Sequence, residues 1–213
     1  EEIADPFDGF PLSDALKGIA ELVDERFADL WTRYEDVAPK YRDVGLECGL
    51  EGVSILIGAA FVAAQAILTH THAAIERIRK DDSVSNEAKS RFPSKKHELF
   101  ALAALDRDGV PDIEGINALA NCFKHESEWH REWDQATDRV EWLEGRKDVR
   151  TVRQLGLKPH DSENMIRGAA ALGFGGKGGL EQLATRVQGW REDVAIEIRD
   201  RLLAADLLDG ETE

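Results

Sequence analysis

Asn121, Lys124, His125 and Glu128 have the types and spacing that could do chemistry. At 3.6 residues per turn they fall within roughly 100° of one another on a helix. A histidine can move a proton, and a neighbouring lysine can stabilise charge developing on a phosphate, so the chemistry this stripe suggests is metal-free phosphodiester cleavage or phosphate binding. Trp129 borders the stripe and is a candidate platform for a nucleobase, with Glu128 as a second candidate for contact with substrate. Ile116, Leu119, Cys122, Phe123 and Trp133 take the opposite side, so the segment also reads simply as an amphipathic helix with a solvated face.

Competing chemistries fail on spacing. His125 and His130 are five residues apart and diverge by about 140° on a helix, so they do not form the zinc-protease pair. His70 and His72 also point apart, and Asp106-x-Asp108-Gly109 opens like a calcium loop without its later ligands. Neither metal nor cofactor is expected. Gly173-x-Gly175-x-x-Gly178 spells a dinucleotide-binding pattern but follows a helix instead of a strand. Gly178 also stands where a phosphate loop needs Ser or Thr, so a flexible interhelical loop over 173–179 is the expectation. There is no Gly-x-Ser-x-Gly elbow, and Cys48 and Cys122 sit among apolar neighbours as reduced, buried thiols.

Ala120-Asn121-Cys122-Phe123-Lys124-His125 resembles the signature of the HEPN superfamily, in which an Arg, often followed by Asn, precedes a His with four to six residues between them. Asn121 and His125 match, and Ala120 occupies the Arg position. The resemblance implies an all-α metal-independent ribonuclease of a prokaryotic toxin–antitoxin or phage-defence system, or a relative that has lost catalysis and binds RNA or a nucleotide. It also implies a homodimer that brings two motifs together. His125 would then be the general acid/base, Lys124 the phosphate partner in place of the missing Arg, and Asn121 the orienting group. Arg91 to His97 and Arg153 to His160 fit the loose spacing as often as chance allows. A Pro interrupts the first, and a Gly and a Pro the second, although Arg91 could reach the stripe from another segment or subunit.

These residues need a scaffold, and the chain points to an all-α, multi-helix bundle around a long central apolar helix. Ala and Leu are abundant, Pro numbers only 6 and Tyr only 2, and no alternating β-branched runs occur. Apolar periodicity predicts helices over 12–34, 40–79, 97–105, 112–145, 161–172 and 180–208, with a charged connection over 80–94 and a turn over 106–111. All of these fit one helical domain spanning 1–213, its core over about 12–145 and a C-terminal helical part over about 146–208. Val53 to Leu68 is apolar nearly all round but contains Gln65, and it reads as the central core helix instead of a membrane span. Gly45, Gly49, Gly52 and Gly58 in the same helix predict close approach by neighbours.

Acidic residues number 42 against 27 basic, a net charge of −15, which opposes nonspecific binding to nucleic acid or anionic lipid. That balance suits a second role, a non-enzymatic antitoxin, immunity or adaptor subunit that meets a basic protein partner. The N-terminus lacks the features of a signal peptide, and a cytoplasmic location without membrane contact is expected.

Overall fold

A computed structural model describes residues 12–34, 39–125, 129, 147–158 and 161–205, and within these it leaves out the side chains of 12, 13, 31, 34 and 39–48. Cys48 and Glu128 therefore lie outside the description. Eight helices and one two-stranded hairpin make up the described residues. They are α1 (Leu12–Tyr34), α2 (Pro39–Lys80), α3 (Asn86–Lys89), α4 (Lys96–Ala101), β1 (Asp106–Arg107), β2 (Val110–Pro111), α5 (Asp112–Lys124), α6 (Lys147–Gln154), α7 (Asn164–Ala171) and α8 (Gly179–Leu203). The protein is an all-α bundle.

Pro39, whose fixed φ suits a first helical turn and whose missing N–H costs nothing there, opens the 42-residue α2. α2 packs against α1, α5, α7 and α8, and its Val53, Ile57, Phe61, Ala64 and Leu68 are buried, which makes it the central helix of the bundle. By length and composition its stretch from Gly49 to Lys80 could cross a membrane, but 56% of the most apolar window is already covered by protein. The glycines of α2 divide in their roles. A Cβ at Gly49 would lie 2.2 Å from Leu30 of α1, and one at Gly58 would lie 2.2 Å from the Phe123 ring of α5. Gly52 meets nothing within 4 Å, so close packing does not explain it.

The 106–111 turn is a tight hairpin. Asp108 and Gly109 have φ of 52° and 84°, the positive pair of a type I′ turn, and Asp106 accepts a hydrogen bond from the Gly109 N–H at 2.9 Å. Directly after it, the fully buried Asp112 accepts from the N–H groups of Leu105 and Ile113 and pairs with Arg186 of α8 at 2.6 Å. Arg186 also donates to the Ala103 carbonyl, and the Trp190 indole N–H donates to the Leu102 carbonyl at 2.9 Å. α8 thus holds the α4–α5 connection, and with it the start of the helix that carries the polar stripe.

Several boundaries differ from the periodicity. α4 stops at Ala101, four residues early, where Leu102 turns to extended geometry. α5 stops at Lys124, and His125 is its C-cap with φ −115° and ψ 20°, so the expected single helix over 112–145 is interrupted at His125. Residues 126–128 and 130–146 of that expectation lie outside the described residues, as do 206–208 of the last helix. α6 was not anticipated as a separate element. The glycine loop before α8 is closely packed: a Cβ at Gly179 would lie 2.0 Å from the Phe174 carbonyl oxygen, and the Gly178 N–H donates to Asp24 of α1.

Candidate functional site

Asn121 and Lys124 meet partners from two other helices, α2 and α6. Gln65 of α2, 7% exposed, sits where α5 crosses it. Its oxygen accepts from the Lys124 ammonium at 2.7 Å, and its nitrogen donates to the side-chain oxygens of Asn117 at 2.9 Å and Asn121 at 2.8 Å. The nitrogens of those two asparagines in turn face Asp148 of α6, at 3.4 Å from Asn117 and 2.7 Å from Asn121. The direction of each amide follows from the charges at the ends. An ammonium only donates, so Gln65 must turn its oxygen to Lys124; a carboxylate only accepts, so the asparagines must turn their nitrogens to Asp148. The result is a continuous relay from cation to anion through three oriented amides.

Lys96 of α4 joins the relay from the side, donating to the Asn117 oxygen at 3.2 Å while its ammonium lies 5.1 Å from the centre of the Phe100 ring. Burial lowers the Lys96 pKa below the ordinary lysine value; the Asp148 charge offsets part of this, and the Lys124 charge adds to the lowering. Beside these groups a cleft of about 320 Å³ opens between α4, α5 and α6, lined by Lys96, His97, Asn117, Asn121, Lys147 and Asp148 among others. At its edge Lys147 pairs with Glu114 at 2.5 Å.

The expected site is thus divided. Asn121 and Lys124 are brought together by Gln65, but both polar ends of the Asn121 amide are engaged within the protein. His125 is exposed at the end of α5 and does not line the cleft. Trp129 does not border an open stripe. It is 6% exposed within the hydrophobic core, its backbone N–H donates to the His125 carbonyl, and it lines a small cavity of about 190 Å³ with Cys122 and Phe123. The ring thus lies in the core beside that cavity and not at the border of the exposed stripe. Arg91 and Arg153 are exposed and are not partners in the relay's hydrogen bonds. Ala120, the position of the missing Arg, is 0% exposed, so its side of α5 faces the core. Among the described residues no group of three or more His, Cys, Asp or Glu could hold a metal ion.

Gln65, Lys96, Asn117 and Asp148 were not singled out by the sequence reading. Asn117, Asn121 and Lys124 stand at i, i+4 and i+7, one face of a helix, and Gln65 is the sole amide in a run of apolar residues; together these were a usable signal. Comparison of the chain with protein-family models, with curated proteins and with solved structures finds no match.

Proposed function

We propose that this protein is a HEPN-like helical protein with a degenerate motif that binds RNA or a nucleotide through phosphate at the α4–α5–α6 cleft, as a homodimer in a prokaryotic defence or toxin–antitoxin setting. The observation that carries the reading is Lys96. Its ammonium is partly desolvated, contacts a neutral amide oxygen and an aromatic ring, and borders an open cleft that also holds His97, Asp148 and the Lys147–Glu114 pair. A phosphate entering there would supply an anionic partner at contact distance, which the ammonium does not have among the described residues, and binding would raise its lowered pKa. The loss of catalysis is supported by position 120, where an Arg would have to be buried in the core, and by the internal engagement of Asn121.

The test is fluorescence anisotropy of a labelled mixed-sequence RNA, read together with its integrity on a gel in metal-free buffer. Salt-sensitive binding without cleavage is expected. Lys96→Ala and Lys147→Ala should each weaken it and reduce the slope of log K against log salt by about 0.7 for every phosphate that is no longer neutralised. Cleavage that disappears in His125→Ala would replace this reading with the active ribonuclease. Absence of binding to RNA and to mononucleotides at micromolar protein would refute both.

A further inference from the structure

Asn121 lines the phosphate cleft, whereas its neighbours Cys122 and Phe123 line the separate cavity of about 190 Å³, together with Ser54 and Ile55 of α2, Trp129, and Met165 of α7. Ser54 and Trp129 are each 6% exposed. Among the described residues neither the Ser54 hydroxyl nor the Trp129 indole N–H has a hydrogen-bond partner. Neither polar atom is fully enclosed, and the open space that both residues line is this cavity. Leaving a buried donor or acceptor unmade is costly, so two such groups on one cavity point to a partner from outside. A single bridging water would occupy only about 30 Å³ of that space.

Charge at the mouth selects the occupant. The exposed Glu51 stands three residues before Ser54 on the same face of α2, about 4.5 Å away along the axis. It has no ion pair among the described residues. The other polar residues around the cavity are engaged: Asp161 pairs with Arg167 at 3.2 Å, and Asn164 uses both ends of its amide on the Lys158 backbone. The uncompensated charge is therefore one carboxylate, in a chain of net charge −15, so an anion is rejected and an ammonium is favoured. An ammonium only donates, and from the mouth it can serve both the Glu51 carboxylate and the Ser54 oxygen. Further in, Phe123, Trp129 and Met165 suit the faces and edges of an aromatic ring. The indole N–H also only donates, so that ring must carry an acceptor. An apolar cavity of about 150 Å³ holds one benzene ring, so this one has room for a single ring and a short arm. Ile55, 55% exposed, lines the cavity as well and would gain cover from the occupant.

We infer that this cavity binds a single-ring arylalkylamine whose ring carries a hydroxyl or another hydrogen-bond acceptor, independently of the phosphate cleft. Isothermal titration calorimetry of the full chain with tyramine, phenylethylamine and para-hydroxyphenylpropionate tests it. Tyramine should bind, and phenylethylamine, which lacks the acceptor, should bind about fivefold more weakly. The anionic para-hydroxyphenylpropionate should not bind at millimolar concentration. Ser54→Ala, which removes one oxygen and adds no volume, should weaken tyramine about tenfold. Glu51→Gln alters an exposed side chain and should weaken both amines about threefold. Trp129→Phe keeps a ring in place without its N–H and should bring tyramine down to the affinity of phenylethylamine. Three results would each overturn the proposal: an anion that binds as tightly as tyramine, an affinity for tyramine that the Ser54 and Glu51 variants leave unchanged, or no binding of tyramine at millimolar concentration.

Discussion

Gln65 holds a position that no other side chain could fill without reorienting its neighbours. It must accept from a cation on one side and donate to two amides on the other. Gln65→Glu removes the donor, so the asparagines would have to turn their nitrogens towards residue 65 while Asp148 still requires those same nitrogens. Destabilisation of about 1–3 kcal/mol is expected, the usual cost of leaving a buried polar group unsatisfied. Asp148→Asn added to Gln65→Glu supplies a donor at the other end and allows all the amides to reverse together. Denaturant unfolding of the two single variants and the double variant should therefore give a favourable coupling of about 1–2 kcal/mol, and simple additivity would refute the relay. Lys96 obeys a different rule. Its lowered pKa means that the folded state holds the proton less tightly than the unfolded chain, so a protonated Lys96 subtracts stability. That cost is full below the lowered folded pKa and fades as pH rises from there towards the ordinary lysine value. Lys96→Met should raise Tm at neutral pH by no more than about 2 °C, because the site is partly solvated, and the gain should vanish in alkaline buffer. The same variant should lose RNA binding, the signature of a cation kept for function at some expense of stability.

At the level of elements, the site depends on how closely α5 approaches α2. Gly58 leaves space for the Phe123 ring, and Phe123 stands beside Lys124, so this contact fixes the end of α5 from which the relay starts. Gly58→Ala would place a methyl carbon 2.2 Å from that ring as it stands. The ring has to move, and a loss of about 1–3 kcal/mol is expected by thermal or denaturant unfolding. Gly52→Ala, which meets nothing within 4 Å, should instead be neutral or stabilising by up to about 1 kcal/mol, since alanine is the better helix former. This contrast also shows what the sequence made legible. Long apolar periodicities announced α1, α2 and α8, and the Asp108-Gly109 pair announced the turn. α6 was not anticipated because Lys147, Asp148, Arg150 and Arg153 crowd a helix of eight residues, and only Val149 and Val152 supply apolar side chains to its buried face beside Thr151. With α6 unseen, Asp148 had no reason to be placed opposite Asn121. The relay joins residues 27 to 59 positions apart, and only the packing of α2, α5 and α6 brings them together.

Taken whole, the molecule carries a strongly negative charge, while the cleft sets Lys96 and Lys147 beside Glu114 and Asp148, and the two act over different ranges. The net charge of −15 repels a polyanion at distances where individual side chains are not resolved, whereas Lys96 and Lys147 act only after contact. Added salt shortens the long-range repulsion first, since the Debye length falls from about 30 Å at 0.01 M to about 10 Å at 0.1 M. Stopped-flow association of the protein with RNA should therefore speed up as salt rises through this interval, the opposite of what an ordinary basic RNA-binding protein does. Dissociation should speed up too, because counterions compete for the phosphate contacts that hold the complex. Lys147→Ala should change mainly the dissociation rate and leave the salt trend of association intact, since one charge in a total of −15 barely alters the distant field. An association rate that falls steadily with salt would mean that the local cations dominate even at long range, and that the cleft belongs to a larger basic surface formed when two chains pair.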